Sequence, residues 1–373
     1  MTNVVEQDIQ TKSLDRRKKN RHLTLIETTY RKNTESDYTE KIAALGEKFK
    51  YNNDRDRYWS EPQFSLLYGT PIFAGASVAQ KMALNHLYWT IFYSGSASSE
   101  SNAILYNQIT AGVFKAAGDY ETLCKELDLE TNQEKEHIRA FQKACRETNM
   151  ALLGKKGLTQ FINQKSANIG DRSNATKKRK KSFDFNGDSS RNVDYQERAI
   201  RFFVKTMLRK QERFYSHYFR ELEQQGRAIF IPTSGWNKRV MSDRLTYFMT
   251  LNYGSSPFLA CCVYFSRLMA NMLRNIQEHR HSLYFKQLEK QGEDIPVATA
   301  ISRYHSLDES FHTTISQTLA RDFYKEFPQP TAYEKLIANI MAYQLQRTVN
   351  LTNGISTGLH GNYFGDDLGL NSD

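Results

Sequence analysis

The sequence of 373 residues contains little cysteine and little proline. Its four cysteines show neither disulfide nor zinc spacing, and two of them are adjacent in an apolar stretch at 261–262. This argues against a disulfide-stapled or zinc-finger protein and favours a reducing compartment. With only seven prolines and few β-branched runs, the composition favours an α-rich fold.

Long hydrophobic runs are also missing. No stretch reaches the roughly 18 apolar residues that a membrane-spanning helix needs. Residues 1–22 lack the apolar core of a secretory signal. We therefore expect a cytoplasmic protein without a membrane span.

Acidic residues are outnumbered, and the net charge is +10. Much of the excess lies in two basic runs, at residues 16–19 and 177–181. Such runs can attract nucleic acid or acidic surfaces. Because no zinc finger, recognition helix or RNA-binding aromatic motif accompanies them, we interpret them as solvated segments and predict no nucleic-acid partner.

What the chain does contain is a repeated Glu-x-x-His motif. It occurs at Glu134–His137, Glu278–His281 and Glu309–His312. On a helix, steps of three and four residues return to one face, so His305, Glu309 and His312 project in one direction. A di-iron or di-manganese site in a four-helix bundle needs one Glu from each of two helices and a Glu-x-x-His from each of the other two.

Helix length predicts where the two single carboxylates lie. Facing residues of two antiparallel helices joined by a short loop are about 30–35 positions apart. Counting back from Glu134 and Glu309 by such a step reaches Glu100 and Glu278. This predicts two half-sites, one built on each Glu-x-x-His. An exposed loop position remains the alternative for Glu100.

The order Glu, Glu-x-x-His, Glu, His-x-x-x-Glu-x-x-His resembles the ferritin-like non-haem di-iron N-oxygenases of the p-aminobenzoate oxygenase type. It is similar also to the dimetal-carboxylate halogenases of natural-product biosynthesis. The resemblance covers roughly residues 60–350 and implies an all-α, ferritin-like helical bundle with a di-metal site in its core. The ligands it implies are Glu100, Glu134, His137, Glu278, His305, Glu309 and His312.

The same resemblance implies cofactors and partners. Two iron ions, with manganese as the alternative, would activate O2, and a halogenase would also use chloride. The substrate would be a small molecule or a carrier-bound intermediate, and a reductase or ferredoxin-like protein would donate electrons. The oligomeric state is open, with a homodimer as one alternative.

Some neighbours of these ligands have a predicted supporting role. Asp308, directly before Glu309, is expected to accept a hydrogen bond from the far nitrogen of a liganding histidine. The matching position before Glu134 is Gln133, which leaves one histidine without a carboxylate partner. His281 either supports the ligands from behind, without binding a metal itself, or has no role at the site. Aromatic residues predicted to line the substrate pocket are Tyr93, Tyr106, Phe114 and Tyr304.

Composition divides the chain into three regions. Residues 1–57 read as a polar, loosely attached arm, 58–354 as the di-metal domain with a flexible insertion at 165–192, and 355–373 as a tail. Helices are predicted over 77–118, 131–154, 193–225, 257–291, 296–327 and 331–350, with a short extended segment at 229–235. Thr131 is the predicted cap of the second helix.

The leading functional hypothesis is an O2-activating di-metal oxidoreductase that halogenates or hydroxylates a C–H bond of a biosynthetic intermediate. An amine N-oxygenase is the close alternative. Local likeness in residues 65–73, 83–89 and 105–114 favours the halogenase branch. A non-catalytic ferritin-like metal-binding protein is the alternative from another class, and the extra ligand His305 argues against it.

Overall fold

The computed structural model describes residues 21–170, 252–343 and 345–346, with the backbone alone for 156–170. Every regular element in these ranges is helical and none is a strand, so the predicted all-α bundle is confirmed. The helices are α1 (21–35), α2 (Thr39–Lys48), α3 (Tyr51–Asp54), α4 (Pro71–Ala74), α5 (Val78–Ala117), α6 (Glu121–Gly170), α7 (Pro257–Gln291), α8 (Val297–Gln317) and α9 (332–343).

Local sequence signals set the ends of the long helices. Ser77 and Gln80 form a reciprocal capping box at the start of α5. Ser256 caps α7 ahead of its first residue, Pro257, and Gly292 ends that helix with a φ of 69°. Helix α5 runs unbroken through Gly95, in agreement with the single helix predicted over 77–118.

Helix α6 differs from its prediction at both ends. It begins at Glu121, not at Thr131, whose hydroxyl donates to the Leu127 carbonyl one turn back. At Gly154 the backbone leaves the helical region (φ 62°), and helical backbone resumes as far as Gly170. The loop predicted at 165–192 therefore starts too early. Its remainder, the predicted elements at 193–225 and 229–235, and the tail lie outside the described residues.

In the part of the chain that the structure describes, four long helices form the bundle. Helices α5 and α6 pack along each other, α7 pairs with α8, and α7 also contacts α5. Two apolar clusters fill the interior, one around Phe114, Tyr264 and Leu319, the other around Trp89 and Phe141. Helices α5, α6 and α8 contribute to both clusters, and the polar residues between those contributions form a buried layer.

The N-terminal region is integrated into this core. Ile26 belongs to the first apolar cluster, Ile42 and Phe49 to the second, and all three are fully buried. Gly46 lets α2 approach α6, because a Cβ there would lie 3.1 Å from the Cβ of Ala140. Loose attachment is therefore wrong for residues 21–57, although the boundary at 57 stays a prediction. Among the described helices, none has the length and apolar character to cross a membrane.

Candidate metal centre

The buried polar layer contains all seven predicted ligands. They are at most 1% exposed. Helix α5 supplies Glu100, α6 supplies Glu134 and His137, α7 supplies Glu278, and α8 supplies His305, Glu309 and His312. An exposed position for Glu100 is therefore excluded, because its side chain points into the bundle.

Six of these side chains form two groups that share one member. Donor atoms of Glu100, His137, His305 and Glu309 lie within 4.8 Å of one another, and so do those of Glu134, Glu309 and His312. His312 Nδ1 is 2.9 Å from Glu309 Oε1, and His305 Nε2 is 2.8 Å from Glu100 Oε1. Glu309 thus stands between two places where a cation can be held.

Glu278 lies beside these groups. Its Oε1 is 2.8 Å from His305 Nδ1, so the imidazole of His305 has a carboxylate at each nitrogen. The geometry allows two roles for Glu278, as a metal ligand or as the group that orients His305. Direct binding of a metal ion by Glu278 stays a prediction.

His281, the histidine of the third motif, is directed elsewhere. Its ring packs against Trp89 with centroids 4.0 Å apart and lies 6.3 Å from the Tyr93 ring. Burial lowers the pKa of His281 to about 3, so the imidazole is neutral. These contacts favour the alternative in which His281 has no role at the metal site.

The two Glu-x-x-His histidines are oriented by partners from the opposite motif. Asp308 Oδ2 lies 3.2 Å from His137 Nε2, and Gln133 Oε1 lies 2.8 Å from His312 Nε2. Each partner directly precedes the glutamate of its own motif. Both histidines thereby keep Nδ1 facing the carboxylate groups. The sequence predicted no carboxylate partner for one of the two histidines, and in the structure the Gln133 amide takes that place.

Two buried arginines of α7 also reach the layer, and sequence reasoning missed them. Arg274 donates to Glu100 Oε1 at 2.8 Å and to Glu309. Arg267 donates to Glu134 Oε1 at 2.8 Å and to Glu130, one turn earlier on α6. Their positions, four and eleven residues before Glu278, share its helix face; that spacing was the available signal.

The electrostatics of the layer favour added cations. Burial alone would raise the pKa of Glu309, but Arg274 and His312 hold it below its usual range. Burial would lower the pKa of His305, yet Glu278 and Glu100 raise it well above its usual value. In the described part of the layer, more carboxylates than arginines are present, so protons or metal ions must balance them. Metal binding would displace those protons.

The donor atoms fit metal ions. Within the described residues, one oxygen each of Glu100 and Glu134, both oxygens of Glu278 and Nδ1 of His137 make no hydrogen bond of good geometry, although all are buried. Such atoms are costly unless something coordinates them. Carboxylate and imidazole donors without thiolate suit iron or manganese.

The four aromatic residues predicted to line a pocket are not brought together. Phe114 packs in the first apolar cluster, about 21 Å along α5 from Glu100 by the helical rise. Tyr106 lies in the same cluster, and Tyr304 faces Tyr38 at the edge of the second one. Tyr93 is linked to the predicted ligands through one residue: its ring stacks on Phe141, whose ring contacts that of His305.

A pair of substitutions tests the assignment of the third motif. His305→Ala is expected to lower the metal content, because it removes a donor and leaves Glu100 and Glu278 without their shared partner. His281→Ala is expected to keep the wild-type metal content. Metal per chain by mass spectrometry, with circular dichroism as the folding control, measures both. If His281→Ala empties the centre and His305→Ala does not, the half-sites must be redrawn.

Comparison with known protein families gives a match over most of the chain. The model of a family described as acyl halogenase CylC-like matches residues 21–372, which is almost the whole chain. No curated protein and no solved structure matches.

Proposed function

Because the chain belongs to the CylC-like acyl halogenase family, we propose that it replaces a C–H bond of an acyl substrate by a carbon–halogen bond, using two metal ions in the buried polar layer. The observation that carries the proposal is the pair of donor groups joined by Glu309. The seven predicted ligands would hold the ions, and iron is the first choice with manganese second. The matched family is described as a halogenase family, so the match gives no support to the alternative of amine N-oxygenation.

The reaction needs an oxidant and an external reductant. Written for a halide X⁻, it is R–H + X⁻ + O2 + 3H⁺ + 2e⁻ → R–X + 2H2O. The C–H bond gives two electrons, O2 takes four, and a reductase or ferredoxin-like donor supplies the difference. Bound metals would supply the redox chemistry that reduces O2 next to the halide and the substrate.

The residues of the chain prepare the place for that chemistry. Asp308 and Gln133 accept from the Nε2 atoms of His137 and His312, which leaves each Nδ1 lone pair for a metal. Arg274 fixes the carboxylates of Glu100 and Glu309 from one side. The apolar clusters on either side of the layer keep water out, which strengthens every electrostatic interaction inside it.

The test is product analysis with the iron-loaded protein. We expect acyl thioesters incubated with O2, a chemical reductant and chloride to give a product with the chlorine isotope pattern, and bromide to give the brominated product. Omitting the halide or chelating the metal should abolish halogenated product. If the product is oxygenated and its yield is the same with and without halide, the reaction is hydroxylation and the proposed halogenation is wrong.

A further inference from the structure

We propose that helix α1 is part of the metal centre, and that its Asn33 is a positioning residue for the ligand His312. The inference rests on the proposed metal-dependent function and extends it to a part of the chain that has no ligand. Asn33 is fully buried against α6, although the surrounding helix reads as a polar arm.

A directed chain of hydrogen bonds connects the two residues. His312 Nε2 donates to Gln133 Oε1 (2.8 Å), Gln133 Nε2 donates to Asn33 Oδ1 (2.8 Å), and Asn33 Nδ2 donates to Glu126 Oε1 (2.9 Å). All four side chains are fully buried. Asn33 Nδ2 also lies 3.3 Å from Gln133 Oε1, and Gln133 Nε2 has a second acceptor in Asp37 Oδ1 at 3.4 Å. Because the carboxyl oxygens of Glu126 and Asp37 accept from the two NH2 groups, they fix both amide orientations.

Asn33 prevents the Gln133 amide from turning over. With the amide reversed, its NH2 group would face the Nε2–H of His312, and two donors would meet. The oxygen of Asn33 at 2.8 Å, together with the more distant Asp37 carboxylate at 3.4 Å, holds the NH2 group away from His312. Through this contact Asn33 keeps His312 in the tautomer that offers Nδ1 to a metal.

The other histidine is held by a different kind of acceptor. His137 donates directly to the carboxylate of Asp308, whose second oxygen accepts the backbone N–H of Tyr38 at 3.4 Å. A carboxylate raises the basicity of a donor imidazole more than a neutral amide does. The structure therefore assigns the weaker metal position to His312 and makes the two ions inequivalent.

The experiment compares Asn33→Ala with Thr29→Ala in the full chain. Thr29 is the matched control: it is buried one turn earlier on α1, and its hydroxyl donates to the Leu25 carbonyl of the same helix. Both proteins are loaded anaerobically with ⁵⁷Fe(II). Chelator competition gives the two binding constants, and Mössbauer spectra show one signal for each iron position. We expect Asn33→Ala to weaken one position by about 10–100-fold and to change one signal, while Thr29→Ala changes neither.

A second variant covers the case in which Asn33→Ala does not fold. Gln133→Glu keeps an oxygen acceptor for His312 and gives it charge, as Asp308 gives His137. It should tighten the weaker position and make the two signals more alike. Wild-type binding constants in Asn33→Ala, equal losses in Asn33→Ala and Thr29→Ala, or no tightening in Gln133→Glu would overturn the assignment. A wild type that binds no iron would instead overturn the proposed function itself.

Discussion

Glu309→Gln is expected to empty both metal positions at once and to abolish turnover. Glu309 is the one residue common to the two groups of donor atoms. The substitution keeps the size of the side chain but removes a negative charge and an oxygen ligand. The loss of turnover should exceed about 100-fold, because changes outside the ligand set already cost 10–100-fold.

Glu136→Gln is the matched control for this substitution. Glu136 lies on α6 two residues after Glu134, outside both donor groups, and pairs with the exposed Arg139. The control should retain wild-type metal content and turnover. Metal analysis, circular dichroism and the halogenation assay measure the pair. Two metals per chain and wild-type turnover in Glu309→Gln would show that Glu309 is not shared.

The clustering of the predicted ligands could be foreseen because a helix has a fixed period. Steps of three and four residues place His305, Glu309 and His312 on one face, and the length of a helical hairpin relates Glu134 to Glu100. The structure brings all of these into one buried layer. The bounds predicted for α5, residues 77–118, also agree with the structure, in which Ser77 caps the first turn.

What could not be predicted depends on contacts between distant parts of the chain. Asn33 meets Gln133 and Glu126 across 100 and 93 residues, and no local pattern announces that pairing. Arg274 lies in a helix whose other charged residues include exposed ones, so its burial follows from the carboxylates that α5 and α8 bring to it. The polar composition of residues 21–57 concealed the few apolar side chains that anchor them.

Arg274→Met is expected to lower the free energy of unfolding of the metal-free protein by about 3–5 kcal/mol. Removing one member of a buried ion pair leaves its partners without compensation, and that is the usual cost. Here the abandoned partners are Glu100 and Glu309, both fully buried and both hydrogen-bonded to the guanidinium. Because methionine fills the volume of the aliphatic part of the arginine side chain, the decrease in stability comes from the missing charge more than from a cavity.

Metal loading should reduce this loss. Divalent ions bound to Glu100 and Glu309 supply positive charge to the same carboxylates that Arg274 neutralises. Urea denaturation of metal-free and iron-loaded proteins measures the difference, and Arg139→Met, at an exposed position on α6, is the control that should change little. If metal-free Arg274→Met unfolds at the same urea concentration as the wild type, the guanidinium does not balance the layer. If the free energy of unfolding decreases equally in the metal-free and iron-loaded proteins, Arg274 stabilises the packing of α7 and does not neutralise the carboxylates of the centre.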